Sequence, residues 1–236
     1  MNLKDRLEIL LRPGIEFREI EPGIYSVMPD RGPTRYDRKT ATYDRVIRSW
    51  TYNKLMWGLS PSAYRSFAAK TYDYHPRVVL DAGCGSMAAT AEIHAHSGAF
   101  IVGVDLSLQM LRRAKQRLND EGATNVVLLQ ADLSNLPFRS GAFESALFMG
   151  SLHLFVNPQA ILESVQRVLQ PQAKLHLSSL AKVGRMIGDR YYETLRKMGE
   201  VAPGRSLREI QRDMEAVYSG VTLTHEGNMV FATAFR

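Results

Sequence analysis

A single cysteine, Cys84, stands among 236 residues, so the chain can form no internal disulfide and no cysteine-based zinc cluster. No stretch of about 18 apolar residues occurs, which excludes a membrane-spanning helix. The opening Met1-Asn2-Leu3-Lys4-Asp5-Arg6 alternates charges and lacks the apolar core of a secretory signal. Internal repeats and low-complexity tracts are also missing. These absences leave a soluble globular chain in a reducing compartment, and a cytoplasmic location is expected. Hydrophobic residues at 45% and charged residues at 23% agree with that class.

The formal net charge is +6, and its distribution is uneven. Residues 77–180 carry 8 basic and 8 acidic side chains, whereas 1–76 carry 13 and 9, and 181–236 carry 9 and 7. Any basic surface must therefore be built by the flanks. A surplus of this size favours anionic partners without naming one.

The balanced middle alternates short apolar runs with helical-period segments, the pattern of a doubly wound parallel sheet. Strands are expected at Arg77–Asp81, Phe100–Asp105, Asn125–Gln130, Ser145–Met149 and Lys174–Ser178. Ser107 should cap a helix carrying Leu108, Leu111, Ala114 and Leu118, and Pro158 should open another with Ile161, Val165, Val168 and Leu169. Val221–His225 and Met229–Phe235 read as a C-terminal antiparallel hairpin. Residues 182–219 look helical with a break near Pro203-Gly204, and Ser206 is a candidate cap. Residues 36–70 read as helical segments rich in Tyr, Trp and Met. A small hairpin is expected near the start, Glu16–Ile20 against Ile24–Met28.

Open parallel sheets bind ligands at the carboxyl ends of their strands. Four of these ends carry a suggestive series. Asp81-Ala82-Gly83-Cys84-Gly85-Ser86 is a glycine turn through which backbone N–H groups can approach a ligand. Taken alone, this turn also fits the dinucleotide fingerprint. Asp105 ends the second strand, where a carboxylate can accept from a ribose diol or cap the following helix. Asp132-Leu133 follows the third, placed for an acidic side chain and a backbone N–H to meet an adenine edge. Met149-Gly150-Ser151-Leu152-His153 follows the fourth, beside the glycine turn.

The succession VVLDAGCGS, IVGVDLS, LLQADLSNLPFRSGAFE, FMGSLHLF and RVLQPQAKLHLSS resembles the class I S-adenosylmethionine-dependent methyltransferases. Within them it is most similar to the type 11 small-molecule group that includes the ubiquinone/menaquinone methyltransferases. The likeness covers roughly 43–180. It implies a Rossmann-like α/β fold with a doubly wound, seven-stranded, mostly parallel sheet and helical lid segments. Five units follow: an extension at 1–35, a helical lid at 36–76, the cofactor-binding core at 77–181, a substrate-lid insertion at 182–205, and a completing helix and hairpin at 206–236.

The resemblance also implies S-adenosyl-L-methionine as cofactor and assigns roles by position. Gly83, Cys84, Gly85 and Gly150 would border the methionine portion, with Asp81 turned toward its ammonium. Asp105 would hold the ribose, Leu106 would pack on adenine, and Asp132 with the Leu133 amide would read its edge. Tyr43 would close over the cofactor. His153 is the candidate catalytic residue, either as a general base or as a wall of the acceptor pocket. No metal is implied, because methyl transfer from a sulfonium is a direct displacement that relies on positioning.

The sequence departs from the family pattern at Met87, where a third glycine is usual, at Gln172-Ala173 and at Glu144. The expected acceptor is a small apolar or aromatic metabolite, covered by aromatics from Tyr43–Trp57 and 182–204. The alternatives are an RNA or protein acceptor, suggested by Arg31, Arg35, Arg38, Lys39, Arg45 and Arg48; a non-catalytic cofactor-binding partner subunit; and a dehydrogenase. No RNA-binding module is recognisable, so nucleic acid and integral membrane association are not expected.

Overall fold

A computed structural model describes residues 1–29 and 49–236. Tyr43 and the arginine-rich run from Arg31 to Arg48 lie outside the described residues. Nine strands among those described form one sheet: β1 (Arg18–Glu21), β2 (Ile24–Ser26), β3 (Val78–Ala82), β4 (Phe100–Asp105), β5 (Val126–Gln130), β6 (Phe143–Phe148), β7 (Leu169–Leu180), β8 (Ser219–Glu226) and β9 (Met229–Phe235). Their order is β1-β2-β5-β4-β3-β6-β7-β9-β8. The stretch from β2 to β7 is parallel, while β1 and β9 run antiparallel to their neighbours.

From β3 the chain winds outward through β4 and β5, then returns to place β6 and β7 on the other side of β3. Such a reversal is where open parallel sheets place a ligand crevice, here beyond the carboxyl ends of β3 and β6. Side chains alternate between two apolar layers. Leu80, Ala82, Val102 and Val104 face one layer, shared with helices Leu3–Leu10, Pro158–Val168 and Leu207–Glu215. Val79, Ile101, Leu128 and Leu147 face the other, with helices Pro61–Ala69, Leu108–Asp120 and Met186–Lys197. Burial on both faces explains why these strands read as continuous apolar runs.

Helix starts follow local chemistry. The Ser107 hydroxyl accepts from the Met110 N–H at 3.2 Å. Ser206 and Glu209 cap reciprocally, side chain to backbone in both directions. The expected break in 182–219 falls between the helices Met186–Lys197 and Leu207–Glu215.

The expected count of seven strands is corrected to nine. The two additional strands are the N-terminal hairpin, which joins the β5 edge in the register Ile24↔Leu128, Tyr25↔Leu129 and Ser26↔Gln130. All three β2 residues are buried. A turn signal marks a hairpin, but it says nothing about which distant strand will receive it. Helix Leu3–Leu10 was also not anticipated; Asn2 caps it by accepting from the Asp5 N–H, and Leu7 and Leu10 enter the core.

Candidate active site

The glycine turn leaves β3 and enters the short helix Ala91–His96. Gly83 and Gly85 adopt left-handed backbone angles, φ +63° and +53°, which a glycine takes without steric cost. A Cβ at Gly83 would lie 3.1 Å from the Ser151 hydroxyl, and that hydroxyl donates to the Gly83 carbonyl at 3.3 Å. The ends of β3 and β6 are thereby tied together. A Cβ at Gly85 would meet nothing within 4 Å, so this part of the turn borders open space.

Met87, at the position of the usual third glycine, also has a left-handed backbone, φ +50°. Its side chain is buried and turns away from the crevice. It packs where Gly103 of β4 lacks a side chain, since a Cβ there would overlap the Met87 Cε. A glycine in the neighbouring strand thus makes room for a methionine in the loop.

Asp105 ends β4 with both carboxylate oxygens engaged. Oδ2 accepts from the Gly85 N–H at 2.9 Å and Oδ1 from the Ser107 N–H at 2.8 Å. The residue therefore fastens the glycine turn and also steadies the next helix. Beside it Leu106 is 40% exposed, an apolar surface at the strand ends. Asp132 is exposed, and its Oδ1 accepts from the Ser134 N–H and hydroxyl, both at 2.8 Å, opening the turn Leu133–Asn135. The Gly150 N–H donates to the Ser178 carbonyl and hydroxyl at 3.0 and 2.9 Å. Burial and the carboxylates of Asp81 and Asp105 push the Cys84 thiol up, which makes it a poor nucleophile.

Asp81 and His153 both lie deeper than their places at the strand ends suggest. Asp81 does not face the crevice: it is 1% exposed, and its Oδ2 meets His94 Nε2 at 2.8 Å and the Thr90 hydroxyl at 3.3 Å. Strand alternation turns it into the layer beneath the turn. His153, in the turn Leu152–Leu154, is buried, and its Nδ1 accepts from the Leu180 N–H at 3.3 Å. Burial lowers its pKa to about 4. With Nδ1 accepting, the neutral ring carries its proton on Nε2, and a general base has no vacant ring nitrogen to offer. The geometry suits a wall of the site.

The described parts of the two aromatic segments meet each other. The turns Trp50–Tyr52 and Asn53–Trp57 lie against helix Met186–Lys197. The Tyr52 hydroxyl donates to that of Tyr191 at 3.0 Å, and the Trp57 ring sits 5.3 Å from that of Tyr191. Arg185 clamps the segment by donating to the Met56 and Leu55 carbonyls at 2.6 and 2.9 Å. Tyr192 instead packs into the core, 1% exposed. Sequence reasoning missed Tyr64, whose hydroxyl lies 2.8 Å from where a Cβ on Gly150 would stand. No motif marks it, because the contact joins a helix to a strand end 86 residues away.

Comparison with known proteins bears on this geometry. Residues 79–172 match the family model described as a methyltransferase domain. A demethylmenaquinone methyltransferase of Porphyromonas gingivalis is 32% identical over 144 residues, 59% of this chain and 56% of that protein. The chain spans about half the length of the curated relatives it matches. Geranyl diphosphate C-methyltransferase from Streptomyces coelicolor, solved with S-adenosyl-L-homocysteine, superposes with a TM-score of 0.66 at 16% identity, covering 88% of this chain and 100% of that one. The [4+2]-cyclase SpnF superposes at 0.68 and 16% identity, covering 85% and 93%. Such low identities speak for the fold, and a cyclase among the neighbours shows that fold alone does not choose the reaction. Strand order, glycine turn and the match over residues 79–172 agree on a methyltransferase-like fold around a methyltransferase domain.

Proposed function

We propose that this protein transfers the methyl group of S-adenosylmethionine to a small apolar or aromatic metabolite by in-line displacement. The observation that carries the reading is the fastening of Asp105 to the Gly85 amide beside the exposed Leu106. This sets a carboxylate, an open backbone turn and an apolar surface side by side at the carboxyl ends of β3 and β4. An ionised carboxylate accepts about four hydrogen bonds, so holding two N–H groups is compatible with receiving a ribose diol. The open space at Gly85 suits close approach of a ligand to the backbone. These features fit an adenosyl ligand.

Asp105 would hold the ribose, Leu106 would cover one face of the adenine, and Asp132 with the Leu133 amide would meet its edge. Gly83, Cys84 and Gly85 would flank the methionine portion, with Gly150 at the neighbouring strand end. When bound, the cofactor supplies a methyl group already activated on a sulfonium. The protein's own task is then to hold the acceptor in line and keep water out. Tyr52, Trp57 and Tyr191 provide an apolar wall for this, braced by Arg185. His153 keeps its proton at Nε2 and shapes the acceptor side without accepting a proton. The relatives named for demethylmenaquinone support an aromatic, quinone-like acceptor.

Calorimetric titration tests the cofactor, and release of S-adenosylhomocysteine across a panel of hydroxylated aromatic and quinone-like acceptors tests the reaction. Micromolar-range binding of S-adenosylmethionine and its demethylated product is expected, with no binding of nicotinamide dinucleotides. The reverse preference would overturn the assignment.

A further inference from the structure

Beneath the glycine turn lies a chain of polar groups that the reaction above does not use. The Tyr72 hydroxyl is 2.6 Å from His94 Nδ1, His94 Nε2 is 2.8 Å from Asp81 Oδ2, and the Thr90 hydroxyl donates to the same oxygen at 3.3 Å. His94 is fully buried and Asp81 nearly so. Burial and the charge of Asp81 push the Tyr72 phenol up, so Tyr72 keeps its proton and can donate. With Tyr72 donating to Nδ1, the neutral imidazole donates from Nε2 to the carboxylate.

The position of this chain matters more than its composition. Asp81 lies near the end of β3, just before the loop, while Thr90 and His94 lie where the loop re-enters a helix. The hydrogen bonds therefore close residues 82–90 at both ends. Packing alone does not require polar groups here, since apolar residues of similar size often serve equally well or better. Among the described residues, the His94 ring is the only basic side chain within 4.0 Å of Asp81. A buried carboxylate with one titratable partner favours a cation nearby.

We propose that Tyr72 and His94 are positioning residues that act through Asp81 on the glycine turn, fixing its conformation and aiming a buried negative charge at the sulfonium of the ligand it holds. The charge component rests on the reading of this turn as the S-adenosylmethionine site; the conformational component does not.

The test has two arms. Amide hydrogen exchange across 83–90 in the ligand-free protein reads the conformational component. Tyr72→Phe, which removes one hydroxyl and keeps the ring, should speed exchange there about 10-fold, as loss of a hydrogen bond in a clamped segment predicts. Exchange equal to wild type would overturn the proposal. Titration with S-adenosylmethionine and with S-adenosylhomocysteine, which lacks the sulfonium charge, reads the charge. The isosteric Asp81→Asn should weaken the sulfonium ligand about 10-fold more than the neutral-sulfur ligand, as loss of one nearby opposite charge would. His94→Gln, whose amide N–H can replace Nε2–H, should lie between wild type and His94→Leu. Equal losses for both ligands in Asp81→Asn would refute the charge role. A wild-type protein that binds neither ligand would overturn the proposed function, while the exchange arm would still decide whether Tyr72 and His94 position the turn.

Discussion

Gly103→Ala probes the packing that admits a methionine to the glycine turn. Gly103 sits in the middle of β4, paired with Asp81 of β3 and Leu128 of β5. A methyl group there overlaps the Met87 Cε and presses on Leu128 Cδ2 at 3.0 Å and Cys84 Sγ at 3.2 Å. Met87 can swing its thioether, but Leu128 is fully buried and has no space to yield. Overpacking of this kind costs about 1–3 kcal/mol, partly offset by about 0.5–1 kcal/mol for replacing a strand glycine.

Met87→Gly acts in the opposite sense on the backbone. It relieves a left-handed residue of about 1–2 kcal/mol and empties a buried site at about 2–5 kcal/mol. In the double variant the methyl group added at position 103 enters the space that Met87 vacates. The two changes should therefore couple favourably by about 1–2 kcal/mol in urea unfolding. Additivity within about 0.5 kcal/mol would refute the claim that Gly103 exists to seat Met87.

Asp105→Ala should weaken S-adenosylmethionine binding by about 1.5–3 kcal/mol, the range for a hydrogen bond to a charged group, as read by calorimetry. It should also lower the unfolding free energy, because the Gly85 and Ser107 N–H groups lose their acceptor; unchanged stability would show that water replaces the carboxylate without loss. His153 and His176 both have folded pKa values near 4, depressed chiefly by burial, against about 6.5 when unfolded. The unfolded chain therefore binds more protons between these values. Stability from these two groups is present above pH 6.5 and lost as pH falls toward 4, by up to about 1.4 kcal/mol per pH unit for each histidine. Unfolding measured from pH 7 to pH 5 should show this slope, and His153→Gln should remove its share. A slope unchanged in that variant would mean that His153 is not buried neutral.

The parallel core was legible because strands covered on both faces need unbroken apolar runs, and Phe100–Asp105 and Met229–Phe235 fall where the sequence places them. The strand-end residues were legible for the same reason: once the strands are placed, Asp105 and Asp132 must lie at their carboxyl ends. What remained hidden depends on pairing at a distance. The bond from Gly85 to Asp105 follows from the register Ala82↔Val104, which no local pattern encodes. The neighbours of Asp81 in sequence are loop glycines, whereas its partners in space are Thr90 and His94, which no local pattern names. From its position alone His153 could be a base or a wall, and the Leu180 amide that meets its Nδ1 lies 27 residues away in sequence.

The hairpin that extends the sheet also covers an edge that would otherwise be open to another strand. Without it, Val126–Gln130, the sequence VVLLQ, would be a bare sheet margin with no charge to deter another strand. Short, uncharged, β-prone segments of this kind are templates for aggregation when their backbone is left open. β2 occupies that margin, and β1 then ends the sheet with Arg18, Glu19 and Glu21. The new border is short and carries both signs of charge, which discourages further strand addition. The first 29 residues thus include the cover of that margin, and cutting the chain back to the strands from β3 onward would leave the β5 backbone open.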